Sequence, residues 1–439
     1  MHSQLAEDAS DRQTRTAMLD ARWRQIVAHT PHALALREGA GGRTWTFAEL
    51  AAAADAGSLP TATGPVFPIG HGLEFILTVL RAWRAKRPVC PLETGQPAPA
   101  FPEPTPGIAQ LKLTSGTTGA IKCVAFTATQ LAADAAAIVA TMGLRPGWPN
   151  LGVISLAHSY GFSNLVLPLL LHGIPLVLVP SPLPALLADT AHLLGDTPLT
   201  LAAVPAMWRA WHEAGVIPPT VRLAISAAAP LPLPLEEAVF AGCGLKLHNF
   251  LGATECGGIA YDRSEQPRTD ASFAGQPLRG VDVVRCATGG LEVRGAAVGE
   301  TYWPEREERL SGGVYRADDL VDIAEDGGVW LRGRAGDVIN VAGRKLSPEA
   351  IESVLRRHPA VRECLALSLP DDEHRGETVG VVVELKSSAD ELELRDFLLA
   401  QLPAWQVPRA WHFVETLAPN GRGKLSRADW RRRWHERSI

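Results

Sequence analysis

The apolar positions of this chain change rhythm as it proceeds. Between about residues 16 and 57 they predict a helix, a short strand over Leu34 to Arg37, and a second helix opened by Thr46, which forms a capping box with Glu49. Short apolar strands then alternate with Ala-rich helices to about residue 245, the rhythm of α/β architecture with largely parallel sheets. From Gly275 to Leu331 the runs shorten and Gly, Asp and Pro separate them, as in Gly289-Gly-Leu-Glu-Val-Arg294 and Gly328-Val-Trp-Leu331. That pattern predicts a small barrel-like or distorted β region. Beyond Gly333-Arg-Ala-Gly-Asp337 come a helix from Ser347 to His358 with Pro348 just inside its start, strands over Glu363 to Ser368 and Val379 to Glu384, and a helix from Glu391 to Leu402. The expected fold is α/β: a large N-terminal lobe over residues 1–335, of mostly parallel sheets with helices plus the small β region, and a small C-terminal α+β lobe over 336–439.

The longest apolar stretch, Asn164 to Val179, is broken by Pro168, His172, Gly173 and Pro175. It reads as a buried helix followed by a core strand, and no membrane span is expected. The chain has 439 residues and a formal net charge of -5, so two or three lobes are expected and no basic footprint for nucleic acid exists over the whole molecule. The basic, aromatic segment Trp430 to Arg437 reads as a solvated terminal helix. Cys90, Cys123, Cys243, Cys256, Cys286 and Cys364 are scattered without a C-x-x-C pair, which predicts reduced, mostly buried thiols. Acids at Glu7 and Asp8 replace the basic start of a secretory signal, and a cytoplasmic location is expected.

Chemistry enters at Leu111-Lys-Leu-Thr-Ser-Gly-Thr-Thr-Gly-Ala-Ile-Lys122, where an apolar strand feeds a hydroxyl-rich loop ending in lysine. Gly116 and Gly119 allow a tight turn that brings amide N–H groups against phosphate oxygens; Ser115, Thr117 and Thr118 add hydroxyls, and Lys122 adds charge. The spacing is Gly-x-x-Gly-x-x-Lys, not the Walker pattern, so P-loop ATPase chemistry is disfavoured.

Further segments follow in an order that resembles the adenylate-forming superfamily of acyl-CoA synthetases, peptide adenylation domains and luciferases. Ile225-Ser-Ala-Ala-Ala-Pro-Leu231 is similar to its adenine-flanking turn, Leu251-Gly-Ala-Thr-Glu255 to its aromatic-Gly-x-Thr-Glu motif, and Tyr315-Arg-Ala-Asp-Asp-Leu320 to its ribose-binding motif. Gly333 to Pro348 resembles the interdomain hinge segment, and Pro419-Asn-Gly-Arg-Gly-Lys-Leu-Ser-Arg427 the terminal loop of the catalytic lysine. The resemblance implies ATP-dependent activation of a carboxylic acid to acyl-AMP, then transfer to a thiol after a mobile small lobe rotates. Implied nucleotide contacts are Thr114 to Gly119, Lys122, Ala227, Ala228, Ala229, Leu251, Gly252, Asp319 and Arg334. Thr254, Glu255, His158 and Lys424 are the implied catalytic set, with Glu255 on Mg²⁺ and Lys424 reaching the α-phosphate and carboxylate oxygens. Gly336 beside Asp337 is expected to free the hinge, and Gly343, Arg344 and Lys345 to line the thiol entrance.

Departures from the family pattern are as informative. Ile121 stands where the family has proline, Leu251 where an aromatic stacks on adenine, and Ala317-Asp318 where Thr-Gly precedes the ribose acid. The region before the phosphate loop looks abbreviated. The acyl pocket is expected around Ala157 to Phe162, Val204 to Met207 and Ala227 to Ala229, with His158 as its gate. Amino-acid activating relatives carry an aspartate here and Ser159 to Asn164 has none, so a fatty or aryl acid is favoured. The thiol is CoA or, alternatively, the phosphopantetheine of an acyl carrier protein; a catalytically silent nucleotide-binding homologue is the remaining alternative.

Overall fold

A computed structural model describes residues 17–39, 41–61, 63–100, 102, 104–114, 122–341, 343–371, 376–417 and 425–437. The expected large and small lobes are both present. Six parallel strands form the heart of the large lobe, in the spatial order Leu34–Glu38, Leu176–Leu178, Asn150–Gly152, Leu199–Ala203, Val221–Ser226 and Leu247–Ala253. Every residue of Leu199–Ala203 is buried, as a strand covered on both faces requires. From Asn150–Gly152 the chain crosses to Leu176–Leu178 on one side, then returns to Leu199–Ala203 on the other. Such a reversal is the topological switch point outside whose strand carboxyl ends open α/β sheets bind ligands.

The sheet does not stop at Ala253. Gly257–Tyr261, Phe273–Pro277, Val329–Arg334, Val314–Ile323, Gly290–Gly295 and Val281–Arg285 continue it antiparallel, with repeated register shifts. The short strands expected over Gly275 to Leu331 are therefore a distorted extension of the main sheet. A separate three-stranded sheet pairs Ile108–Thr114 with Lys122–Thr127, and Lys122–Thr127 with Thr301–Trp303.

Local signals account for several boundaries. Thr46 and Glu49 form the expected capping box at the start of the helix Phe47–Ala56, and Thr127 and Gln130 form another at Ala128–Met142. The apolar stretch resolves into a π-turn Phe162–Val166, a helix Leu167–His172 ended by Gly173 at φ +67°, and the strand Leu176–Leu178. Among the described residues no helix is long and apolar enough to cross a membrane.

The small lobe has its own core, which includes Ile339, Ile351, Leu355, Val381, Leu394 and Leu398. Its sheet pairs Val361–Asp371 antiparallel with Gly376–Leu385, which in turn pairs parallel with Ala410–Val414. The terminal helix Arg427–Arg437 is less solvated than its charge suggested. Trp430 and Trp434 pack on Leu365, Leu367, Leu369 and Val382, while Arg432 and Arg433 face water.

Candidate active site

Thr114 and Lys122 face each other at the open end of one hairpin, with Thr114 Oγ1 donating to the Lys122 carbonyl at 3.3 Å. The loop between them, with Ser115, Gly116, Thr117, Thr118 and Gly119, lies outside the described residues. The Lys122 ammonium pairs with the Glu307 carboxylate and stands 6.0 Å from the centre of the Tyr302 ring. Tyr302 is carried there because Thr301–Trp303 pairs with the lysine's own strand.

Thr254 and Glu255 follow the last parallel strand directly. Tyr302 Oη donates to Glu255 Oε1 at 2.9 Å, and the Gly299 N–H donates to the Glu255 carbonyl at 2.8 Å. Burial and the adjacent Glu255 charge hold the Tyr302 phenol well above its ordinary pKa, so it remains a donor. Thr254 Oγ1 lies 3.2 Å from Ser159 Oγ. Ser159 opens the short helical turn Ser159–Gly161, which His158 caps by accepting the Tyr160 N–H on Nδ1 at 3.2 Å. An acceptor at Nδ1 leaves Nε2 as the protonated nitrogen of the neutral ring.

Ala227, Ala228 and Ala229 leave the end of Val221–Ser226, and Ala228 adopts φ +69°. A non-glycine residue in that region is held by its surroundings, as strained backbone at ligand sites often is. Leu251 is half-buried on the last parallel strand; Phe250 points the other way and packs on Tyr160 at 6.0 Å between ring centres. Gly252 is exposed, and a Cβ there would fall 2.9 Å from the Gly257 carbonyl oxygen.

Asp319 and Arg334 are direct partners in the antiparallel pairing of Val314–Ile323 with Val329–Arg334, and Arg334 Nε donates to Asp319 Oδ1 at 3.1 Å. Arg309 bridges from the Glu307 carboxylate at 3.1 Å to Asp318 at 3.3 Å and lies 5.4 Å from the Tyr302 ring. Residues 302–309 thus join the lysine strand, the Glu255 turn and the Asp319 strand. Sequence reasoning missed Tyr302, Glu307 and Arg309, which stand in no motif; the pairing that brings them in spans the chain.

The hinge side is looser. Gly333 has φ +97°, and a Cβ there would strike Ser347 Oγ at 2.3 Å; Gly336 has an ordinary φ and open space around it. The conformational requirement falls on Gly333 and on Gly343 (φ +84°), not on Gly336. Gly343 and Lys345 belong to the hairpin of Ile339–Val341 with Arg344–Leu346, and that hairpin is tied to the small-lobe sheet by the Asn340 N–H on Glu377 at 2.6 Å. The structure brings neither residue against Thr254 or Glu255. Lys424 lies outside the described residues.

A lysine on one hairpin, a threonine and a carboxylate directly after the last parallel strand, and a cross-strand Asp–Arg pair, joined through residues 302–309, are thus gathered in an α/β protein with a small second lobe. Family comparison agrees. The profile of AMP-binding enzymes matches residues 74–303, and that of the AMP-binding enzyme C-terminal domain matches 350–424. The chain belongs to the AMP-binding enzyme family.

Among its relatives, 2,3-dihydroxybenzoate-AMP ligase of Bacillus subtilis is 28% identical over 344 residues, covering 73% of this chain and 63% of the relative. Anthranilate–CoA ligase of Pseudomonas aeruginosa is 32% identical over 264 residues, covering 55% of this chain and 50% of the relative. The chain thus spans between half and two thirds of the length of these curated relatives. The fold matches that of ATP-bound MatB from Rhodopseudomonas palustris with a TM-score of 0.83 at 21% identity, over 96% of this chain and 100% of that one.

Proposed function

We propose that this chain uses ATP to activate a non-amino carboxylic acid, fatty or aryl, as its acyl-adenylate, and then passes the acyl group to a thiol, CoA in the first instance. The observation that carries the reading is the placement of Thr254 and Glu255 at the carboxyl end of the sheet, one hydrogen bond from the His158–Gly161 turn. An acid entering beside His158 meets the α-phosphate at the same strand ends. Two relatives named for aromatic acids put aryl substrates first in any panel.

In the first half-reaction a substrate carboxylate oxygen attacks the α-phosphorus, and the bond from that phosphorus to the oxygen bridging to the β-phosphate breaks. Pyrophosphate leaves. Lys122 and the loop hydroxyls hold the β- and γ-phosphates, Thr254 donates to the α-phosphate, and Lys424 balances the charge that develops. Asp319 accepts from the ribose hydroxyls while Arg334 donates to the same sugar. In the second half-reaction a thiol sulfur attacks the acyl carbon and AMP departs, with residues 336–439 turned so that Gly343 and Lys345 line the entrance.

Among the described residues no cluster of three or more His, Cys, Asp or Glu is preformed for a metal. A single carboxylate, Glu255, is nevertheless the donor set that suits Mg²⁺, which takes one or two carboxylates and leaves its other positions to phosphates and water. The ion would neutralise phosphate charge. Carboxylate-dependent exchange of labelled pyrophosphate into ATP tests the proposal over a panel of aryl and fatty acids. Exchange with at least one acid is expected, and none over the whole panel would leave a silent nucleotide binder instead.

A further inference from the structure

A buried ion pair is bonded to the strand that directly follows the turn of Thr254 and Glu255. Lys112, on Ile108–Thr114, is 4% exposed, and Asp134, on Ala128–Met142, is 1% exposed. Lys112 Nζ is 3.7 Å from Asp134 Oδ2, donates to Ser163 Oγ at 3.1 Å, and stands 4.5 Å from the centre of the Phe126 ring. Ser163 Oγ donates in turn to Asp134 Oδ2 at 2.6 Å, and Asp134 Oδ1 accepts the Gly258 N–H at 3.1 Å. The fit at that turn is close. Gly257 has φ +70°, and a Cβ there would fall 2.1 Å from Asp134 Oδ1.

Stability alone does not explain this arrangement. Withdrawing two charges from water costs about as much as their attraction returns, and well-packed apolar residues often do as well or better. Directional bonds achieve something apolar packing does not. These bonds join the strand that carries Thr114, the π-turn Phe162–Val166 that follows the His158-capped turn Ser159–Gly161, and the strand Gly257–Tyr261 that follows the turn of Thr254 and Glu255. Single π-turns recur at functional sites, where they re-aim side chains.

We propose that Lys112 and Asp134 are positioning residues for adenylate formation, fixing Thr254 and Glu255 against the phosphate-loop strand through Ser163 and the Gly258 amide. The inference rests on the activity proposed above. Its test compares the wild type with the charge-free pair Lys112→Met/Asp134→Leu and with Ser163→Ala, reading thermal midpoint, pyrophosphate-exchange kinetics, and amide hydrogen exchange over 254–258. In the double variant kcat is expected to fall about 10- to 100-fold, the scale of a small misplacement of reacting groups, while the KM values move less than about 3-fold. Amide protection over 254–258 falls with it, and the thermal midpoint stays near wild type. If the double variant does not fold, Ser163→Ala decides, with an expected loss in kcat of about 5-fold at unchanged midpoint. Wild-type kcat and wild-type protection in a folded variant would overturn the inference. Absence of exchange in the wild type would sink the adenylation reading instead, and amide protection in the same variants would still decide whether the pair holds the turn.

Discussion

The two sides of the proposed site are held by different means. On the large-lobe side, Thr254 and Glu255 come off a strand embedded in a continuous sheet, and Tyr302, Ser159 and the Gly299 amide fix both side chain and backbone. Across from them, the Asp319–Arg334 pair has side chains 29% and 56% exposed, and the chain then passes through Gly333 and Gly336 into a lobe with a core of its own. Asp337 is bound by Arg427 at 3.1 Å, and Arg427 also holds Glu349 and Glu352 at 2.8 Å, so Asp337 travels with the small lobe. In the proposed reaction, charge that builds during adenylyl transfer needs donors that do not have to reorganise. Exchange of one acceptor for another needs a part that moves, and exposed ion pairs worth about 0–1 kcal/mol let it go cheaply.

The sharpest way to separate the two sides is at the small lobe's own lysine. Lys424→Ala is expected to slow adenylation by about 10²- to 10³-fold, the scale of losing one preorganised charge-stabilising group, while thioester formation from supplied acyl-adenylate suffers much less. Single-turnover assays of the two halves check this, and equal losses would remove the lysine from the first step. A smaller effect is expected at the rim. Asp319→Asn should raise the KM for ATP about 10-fold through loss of a charge-assisted hydrogen bond, with kcat little changed. A fall in kcat alone would argue against ribose binding in the ground state. The smallest and opposite effect is expected from Glu307→Gln, which releases Lys122 from its present partner. The KM for ATP should drop about 2- to 5-fold, as expected for losing one competing ion pair; an increase would show that Glu307 helps the lysine rather than sequestering it.

What could be read from the chain was whatever local chemistry encodes. Thr46 and Glu49 announce their cap, the prolines and Gly173 divide the apolar stretch into helix and strand, and Asp319 and Arg334, which the family resemblance puts together, are partners across two strands. Long-range pairing was not legible. Tyr302 reaches Glu255, and Glu307 reaches Lys122, only because Thr301–Trp303 lies against Lys122–Thr127, and nothing in either segment advertises the other. Lys112 and Asp134 likewise look like ordinary charges in sequence, since burial is a property of the assembled core. The hinge glycines show a further gap: composition reveals which residue can adopt an unusual φ, but only the fold reveals that Gly333 must.

The separate cores of the two lobes have a consequence for any measurement of robustness. Among the described residues the hydrophobic cluster around Ile339, Ile351 and Val381 shares no member with the one around the main sheet; Arg209–Glu363 at 3.9 Å and the packing of Pro348–Leu355 on Val329–Arg334 are among the links between them. Cooperative melting of the whole polypeptide is not built into such a design. A calorimetric trace should be fitted with two transitions, because a lone midpoint describes whichever half gives way first.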